Sequence, residues 1–197
     1  MRPVHQNIEK YTENMPEGAL ISAKALLHLG SRAGVDQALS RMVRQGRLIR
    51  AARGVYLRPV KGRFGVRPPA PAKVVEGFAA LKGETIASSG AAAANALGLT
   101  TQVPVREVYL TSGPSRELRL GAQVVELQHA PSWQLALAER PAGAALRALA
   151  WAGPKHAGET VRELKRRLPE SERRALSAVS GRLPTWAAKH VSAWARG

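Results

Sequence analysis

Between residues 31 and 45 the apolar positions Val35, Ala38, Leu39, Met42 and Val43 recur at the spacing of a helix that buries one face. The other face carries Arg32, Asp36, Gln37, Ser40, Arg41 and Arg44. Ser31 is placed as an N-cap, because its hydroxyl can accept from a free N–H of the first turn. Gly46 is placed as the stop, because it enters the left-handed region at little cost. The pattern then changes. Leu48-Ile49 and Val55-Tyr56-Leu57 predict two short strands, with Ala51 to Gly54 turning between them. Upstream, Val4, Ile8 and Tyr11 mark one face of a helix over residues 4–14, which Pro16-Glu17-Gly18 breaks. Ala19-Leu20-Ile21 suits a third short strand. A second helix follows from Ser22 to Leu29, with Ala23, Leu26 and Leu27 turned inward. Three helices with a hairpin after the last give the order of a winged helix-turn-helix over residues 1–60, its helix at 31–45 and its wing at 47–57.

Pro59, Pro68, Pro69 and Pro71 then interrupt the pattern, so residues 61–71 are expected to form an irregular, basic linker. Residues 72–197 predict a separate α+β domain with a helical C-terminal part. Its elements are a helix over 73–81, a strand at 85–87, a helix capped by Ser88 or Ser89 and closed by Gly98, and strands near 105–111, 118–120 and 124–128. Helices are expected near 132–139, 142–152, 159–168, 171–180 and 185–195. Ala91 to Ala94 and Ala96 offer little bulk, which predicts that their helix lies close against the strands at 105–110 and 124–127. Asn95 within it either pairs with a backbone group or faces solvent. Trp133, Trp151, Trp186 and Trp194 read as packing residues.

Charge sharpens this picture. The 197-residue chain carries a net charge of +16, a surplus that points to nucleic acid or an anionic membrane surface. Residues 1–71 hold 13 Lys/Arg against 4 Asp/Glu, so the first third of the chain carries more than half of the surplus. No apolar run is long enough to span a bilayer, Met1 to Lys10 is polar, and cysteine is absent. These features predict a cytoplasmic protein without disulfides or thiolate zinc. They make double-stranded DNA the expected partner. Arg32, Gln37 and Arg41 are expected to face the groove, with Ser31 and Ser40 beside them, and Arg44 is a further residue expected at DNA. Arg47, Arg50, Arg53 and Arg58 are expected on phosphates or in the minor groove. Lys61 and Arg63 either follow the phosphates or belong to a solvated tether. The plainer reading of the helix is an amphipathic segment with a solvated polar face.

Nothing in the sequence asks for catalysis, a metal or a cofactor. Ser88-Ser89-Gly90 lacks the Gly-x-Ser-x-Gly elbow of a hydrolase and suits capping better. His5, His28, His129, His156 and His190 are scattered, and Gly30 to Gly34 lacks a P-loop lysine. A nuclease-like enzyme is the weakest of the functional readings.

Three stretches together resemble a known family. They are Gly30-Ser-Arg-Ala-Gly-Val-Asp-Gln-Ala-Leu-Ser-Arg-Met-Val-Arg-Gln-Gly46 with Arg53-Gly-Val-Tyr56, Ser88-Ser-Gly-Ala-Ala-Ala-Ala-Asn-Ala-Leu-Gly-Leu-Thr100 running on to Gln102-Val-Pro104, and Val108-Tyr-Leu-Thr-Ser-Gly-Pro-Ser-Arg116. The chain looks like the AbiEi-type antitoxins of bacterial type IV toxin–antitoxin systems, with the likeness weakening after Trp151. The resemblance implies an N-terminal winged helix-turn-helix on the operon's own promoter. It also implies a C-terminal domain that opposes a nucleotidyltransferase-class toxin. A stand-alone winged-helix regulator without a toxin and a mainly protein-binding antitoxin are the alternatives.

Overall fold

The computed structural model describes residues 3–63, 65–192 and 194. The fold is mixed α+β with a helical C-terminal part. The chain divides into two compact units, one of Met1–Glu84 with Arg116–Glu126 and the other of Thr85–Ser115 with Leu127–Gly197.

In the first unit, α1 (Val4–Glu13) buries Ile8 and Thr12. The Thr12 hydroxyl donates to the Glu9 carbonyl at 3.1 Å, which lets a polar side chain enter the core. Tyr11, expected inward, is 45% exposed and meets the His28 ring edge-on. After β1 (Leu20–Ser22), residues Ala23–Leu29 form a 3₁₀ helix in place of the expected α-helix. Its three-residue turn puts Ala23, Leu26 and Leu29 on the core side and leaves Leu27, expected inward, 40% exposed. The next helix, α2 (Arg32–Arg44), starts where the Ser31 hydroxyl accepts from the Gly34 N–H at 3.2 Å, and it buries Val35, Ala38, Leu39 and Met42. Strands β2 (Ile49–Ala52) and β3 (Val55–Leu57) pair antiparallel, with β1 on the far side of β3. The turn is tighter than the expected Ala51–Gly54. Only Arg53 and Gly54 lie outside the strands, and a bulge between Arg50 and Ala52 lets Ala51 bury its methyl. Ile8, Ile21, Leu26, Leu39, Leu48 and Tyr56 fill the core these elements enclose.

Residues 61–71 are not an irregular linker. Strand β4 (Val60–Gly62) pairs antiparallel with β5 (Gly65–Arg67). Pro59, Pro68 and Pro69 lie just outside these strands, where the missing N–H costs no ladder bond, and Pro71 is the first residue of α3 (Pro71–Lys82). The expected boundary at residue 72 also moves, because α3 belongs to the first unit. Val74, Val75 and Phe78 of α3 are buried. The Glu17 carboxylate accepts from Arg67 Nη1 at 3.1 Å and from the Ala70 N–H at 3.0 Å. A Cβ on Gly77 would lie 2.4 Å from the Gly18 carbonyl oxygen, so the two backbones touch. Strand β8 (Arg116–Leu120) also belongs to this unit and lies beside β2. The Arg116 guanidinium sits 5.2 Å over the Phe78 ring and pairs with Glu84 at 3.0 Å.

In the second unit two strands pair antiparallel, with Ile86 opposite Thr111 and Ser88 opposite Tyr109. Strands β6 (Ile86–Ser88) and β7 (Glu107–Thr111) belong to the second unit, and the division falls within β9 (Gln123–His129). Helix α4 (Gly90–Ala96) opens where the Ser89 hydroxyl accepts from the Ala92 N–H. Ala93 and Ala94 pack against Ala148 of α5 (Pro141–Arg167), so the small residues bring a helix close to a helix and not, as expected, to strands. Asn95 donates to the carbonyls of Thr100 and Gln102, which resolves its role as a backbone anchor. Helix α5 breaks at Gly153, before Pro154, where two helices were expected. Residues 132–139 form turns and no helix. The bonds run from Gln134 to Pro131 and from Leu135 to Ser132, and Leu137 takes a φ of 56°. Helices α6 (Glu170–Ala178) and α7 (Thr185–Val191) complete the helical part, and the expected extension of the last helix to residue 195 runs partly outside the described residues. Trp194 is buried and Trp133 meets Trp186 edge-on at 6.2 Å, whereas Trp151 is 49% exposed.

One ion pair gives this helical part a pH response. Glu172 accepts from Arg140 Nη2 at 2.8 Å and from the Ala142 N–H at 3.0 Å. The Arg140 hydrogen bond first, and the backbone N–H second, hold its carboxyl below the usual carboxylate range. A carboxylate lowered on folding stabilises the fold fully above its ordinary, unfolded pKa, and the contribution disappears as pH falls through the lowered folded value. The thermal midpoint of wild type is therefore expected to exceed that of Glu172→Gln at neutral pH, with the gap closing on acidification. A gap independent of pH would show that the charge is not what stabilises this contact.

Candidate nucleic-acid interface

The first unit turns one face of α2 into its core and the opposite face outward. On that outer face Gln37, Ser40, Arg41 and Arg44 follow the i, i+3, i+4, i+7 spacing of one helical stripe, and all four are exposed. With Asp36 they line one shallow depression. Asp36 is held from the side by Arg32, whose Nε donates to it at 2.9 Å. Arg32 is thus engaged along its own helix while its side chain remains open to solvent. The Ser31 hydroxyl is occupied as the helix cap.

A second group gathers where α2 ends. Arg47, Arg58 and Lys61 line a hollow of about 300 Å³ together with Glu9, Gly46 and Val66. Arg47 Nη1 donates to the Glu9 carboxylate at 3.1 Å. Arg50, opposite Tyr56 on β2, and Arg53, in the β2–β3 turn, are exposed. Arg63 is exposed in the turn that follows β4. The twelve residues expected at DNA thus fall into an outer stripe on α2, a basic hollow beside it and the exposed hairpin arginines, with Ser31 and Arg32 engaged locally.

Arginine and glutamine on an exposed helix face offer paired donors and acceptors that match guanine and adenine edges, while hairpin arginines offer charge to phosphates. The Arg32–Asp36 pair was readable from its i, i+4 spacing. The neutralising contacts of Glu9 with Arg47 and Glu17 with Arg67 join residues far apart in sequence, and no local signal announces them. One charged residue escaped the sequence reading. Arg147 lies in the run Ala144-Ala-Leu-Arg-Ala-Leu-Ala150, apolar on every side, and it is buried. Among the described residues no group of three His, Cys, Asp or Glu side chains is placed to hold a metal ion. No described helix is long and apolar enough to cross a membrane.

Compared with known proteins, residues 7–174 match the model of a family described as a family of unknown function, DUF6088. No curated protein matches. Among solved structures, the Rv2827c protein from Mycobacterium tuberculosis is similar at 16% sequence identity and a TM-score of 0.49, covering 98% of this chain and 74% of that one.

Proposed function

Given that this chain belongs to the DUF6088 family, we propose that it is a DNA-binding autorepressor whose first unit works as a winged helix-turn-helix. The observation that carries this reading is the outer stripe of α2, where Gln37, Ser40, Arg41 and Arg44 stand exposed on a helix whose other face anchors the core. The 3₁₀ segment and α2 serve as the helix pair, and β2–β3 serves as the wing that carries Arg50 and Arg53 over the backbone. The charge surplus supplies the sequence-independent attraction. The likeness to AbiEi-type antitoxins supports a second role, the opposition of a nucleotidyltransferase-class toxin by the second unit. The protein acts by binding and not by catalysis.

The test is fluorescence anisotropy of the full chain with the duplex upstream of its own gene, across a salt series. Tighter binding to that duplex than to random DNA is expected. In Arg50→Ala/Arg53→Ala the slope of log affinity against log salt should fall by about two units, one per lost phosphate contact. An unchanged slope removes the hairpin from the interface, and equal binding to both duplexes removes the repressor. Co-expression with the neighbouring reading frame, scored for growth, tests the antitoxin role.

A further inference from the structure

The second unit contains a cavity of about 480 Å³, within the range of small-molecule sites. Its wall combines Val105, Val108, Leu110 and Trp151 with polar groups that include Arg106 and Gln134. Arg147 of α5 also lines it and is only 3% exposed. Its two hydrogen bonds are long and both use Nη2, to the Ser88 hydroxyl at 3.5 Å and to the Ala138 carbonyl at 3.4 Å. Nε and Nη1 are buried with no acceptor, and the Glu139 carboxylate acts on the guanidinium through charge without a hydrogen bond. A guanidinium keeps its proton under all ordinary conditions, so burial cannot be relieved by neutralisation. A buried cation with two unfilled donors is costly for a fold that has no use for it. Large apolar side chains add a second signal beside it. Val105 is fully exposed and Trp151 half exposed, although both belong to a cavity wall that an apolar body would cover.

We propose that this cavity binds a small aromatic anion, its acid group held by the free donors of Arg147 and its ring lying against Trp151 and Val105. The acid group is a carboxylate or a phosphate monoester, both of which match a guanidinium with paired oxygens. This site goes beyond the DNA-binding reading and does not rest on it.

Calorimetric titration of the full-length protein with benzoate and with phenyl phosphate tests the proposal, using benzamide and inorganic phosphate as controls. At least one aromatic anion should bind saturably. Which of the two binds more tightly identifies the acid group. Benzamide should fail for lack of charge, and inorganic phosphate should bind at least tenfold more weakly for lack of a ring. Arg147→Met, of similar length and without charge, should lose at least tenfold in affinity while melting no lower than wild type, because it removes a buried cation two of whose donors have no acceptor. Trp151→Ala, at a half-exposed position, should stay folded and also bind more weakly. Absence of binding by both aromatic anions, equal binding of benzamide, or full affinity in Trp151→Ala would overturn the site. A destabilised Arg147→Met whose anion affinity matched wild type would show that the arginine is structural only.

Discussion

Gly18→Ala is expected to lower the unfolding free energy by about 3 kcal/mol or more, the sum of two separate costs. Gly18 has a φ of 81°, and a non-glycine residue held in the left-handed region costs roughly 1–2 kcal/mol. The methyl would also lie 2.4 Å from the carbonyl carbon and 2.5 Å from the carbonyl oxygen of Lys73. Those are backbone atoms within α3, so the helix itself must shift, and forced overpacking of this kind costs about 1–3 kcal/mol. Gly46→Ala provides the comparison. Gly46 has a φ of 67° with nothing within 4 Å of the added Cβ, so it bears the conformational cost alone, about 1 kcal/mol. Urea unfolding of both variants measures the difference. Equal losses would mean that α3 is not seated on Gly18.

Gln37→Ala and Arg41→Ala are each expected to weaken binding to the gene's own upstream duplex by about 1–3 kcal/mol, a factor of roughly ten to a hundred, with little change on random DNA. Both side chains stand on the exposed stripe of α2, and their stems do not reach the core, so thermal stability should be unaffected. Arg32→Ala should cost less than either, because its guanidinium is already shared with Asp36. The measurement is anisotropy with the two duplexes in the same salt. Equal losses on both would turn the stripe into a phosphate contact, and no loss on either would remove α2 from the interface.

The readable parts of this fold are those in which local chemistry decides the conformation. Helix α2 was legible because a strong amphipathic period lies between a capping serine and a glycine stop. The 3₁₀ segment was not, since Ala23, Leu26 and Leu27 satisfy an α-helical face equally well, and only tertiary packing selects the three-residue turn. In the 61–71 stretch, proline content misleads because position matters more than number. Each proline flanks a strand or opens a helix, and none interrupts one. The expected helix at 132–139 fails for a reason just downstream. A Cβ on Gly143 would sit 1.9 Å from the oxygen of Leu137, six residues earlier, so the turns are pressed against the start of α5, a contact that the periodicity of apolar positions does not register. The candidate DNA site divides in the same way. The stripe on α2 follows from periodicity, whereas the carboxylate that neutralises Arg47 arrives from α1.

The first unit is discontinuous, with Arg116–Glu126 returning to it after the chain has entered the second. During synthesis the segment through Glu84 leaves the ribosome with no β8 beside β2 and no Arg116 to cover Phe78 or pair with Glu84. At about 5–20 residues per second, the intervening stretch of about 30 residues takes on the order of seconds to make. For that interval the nascent unit exposes the side of Phe78 that Arg116 later shields. The order of manufacture therefore differs from the order of assembly, and a stop codon placed anywhere before residue 116 removes a piece of the N-terminal unit as well as most of the C-terminal one.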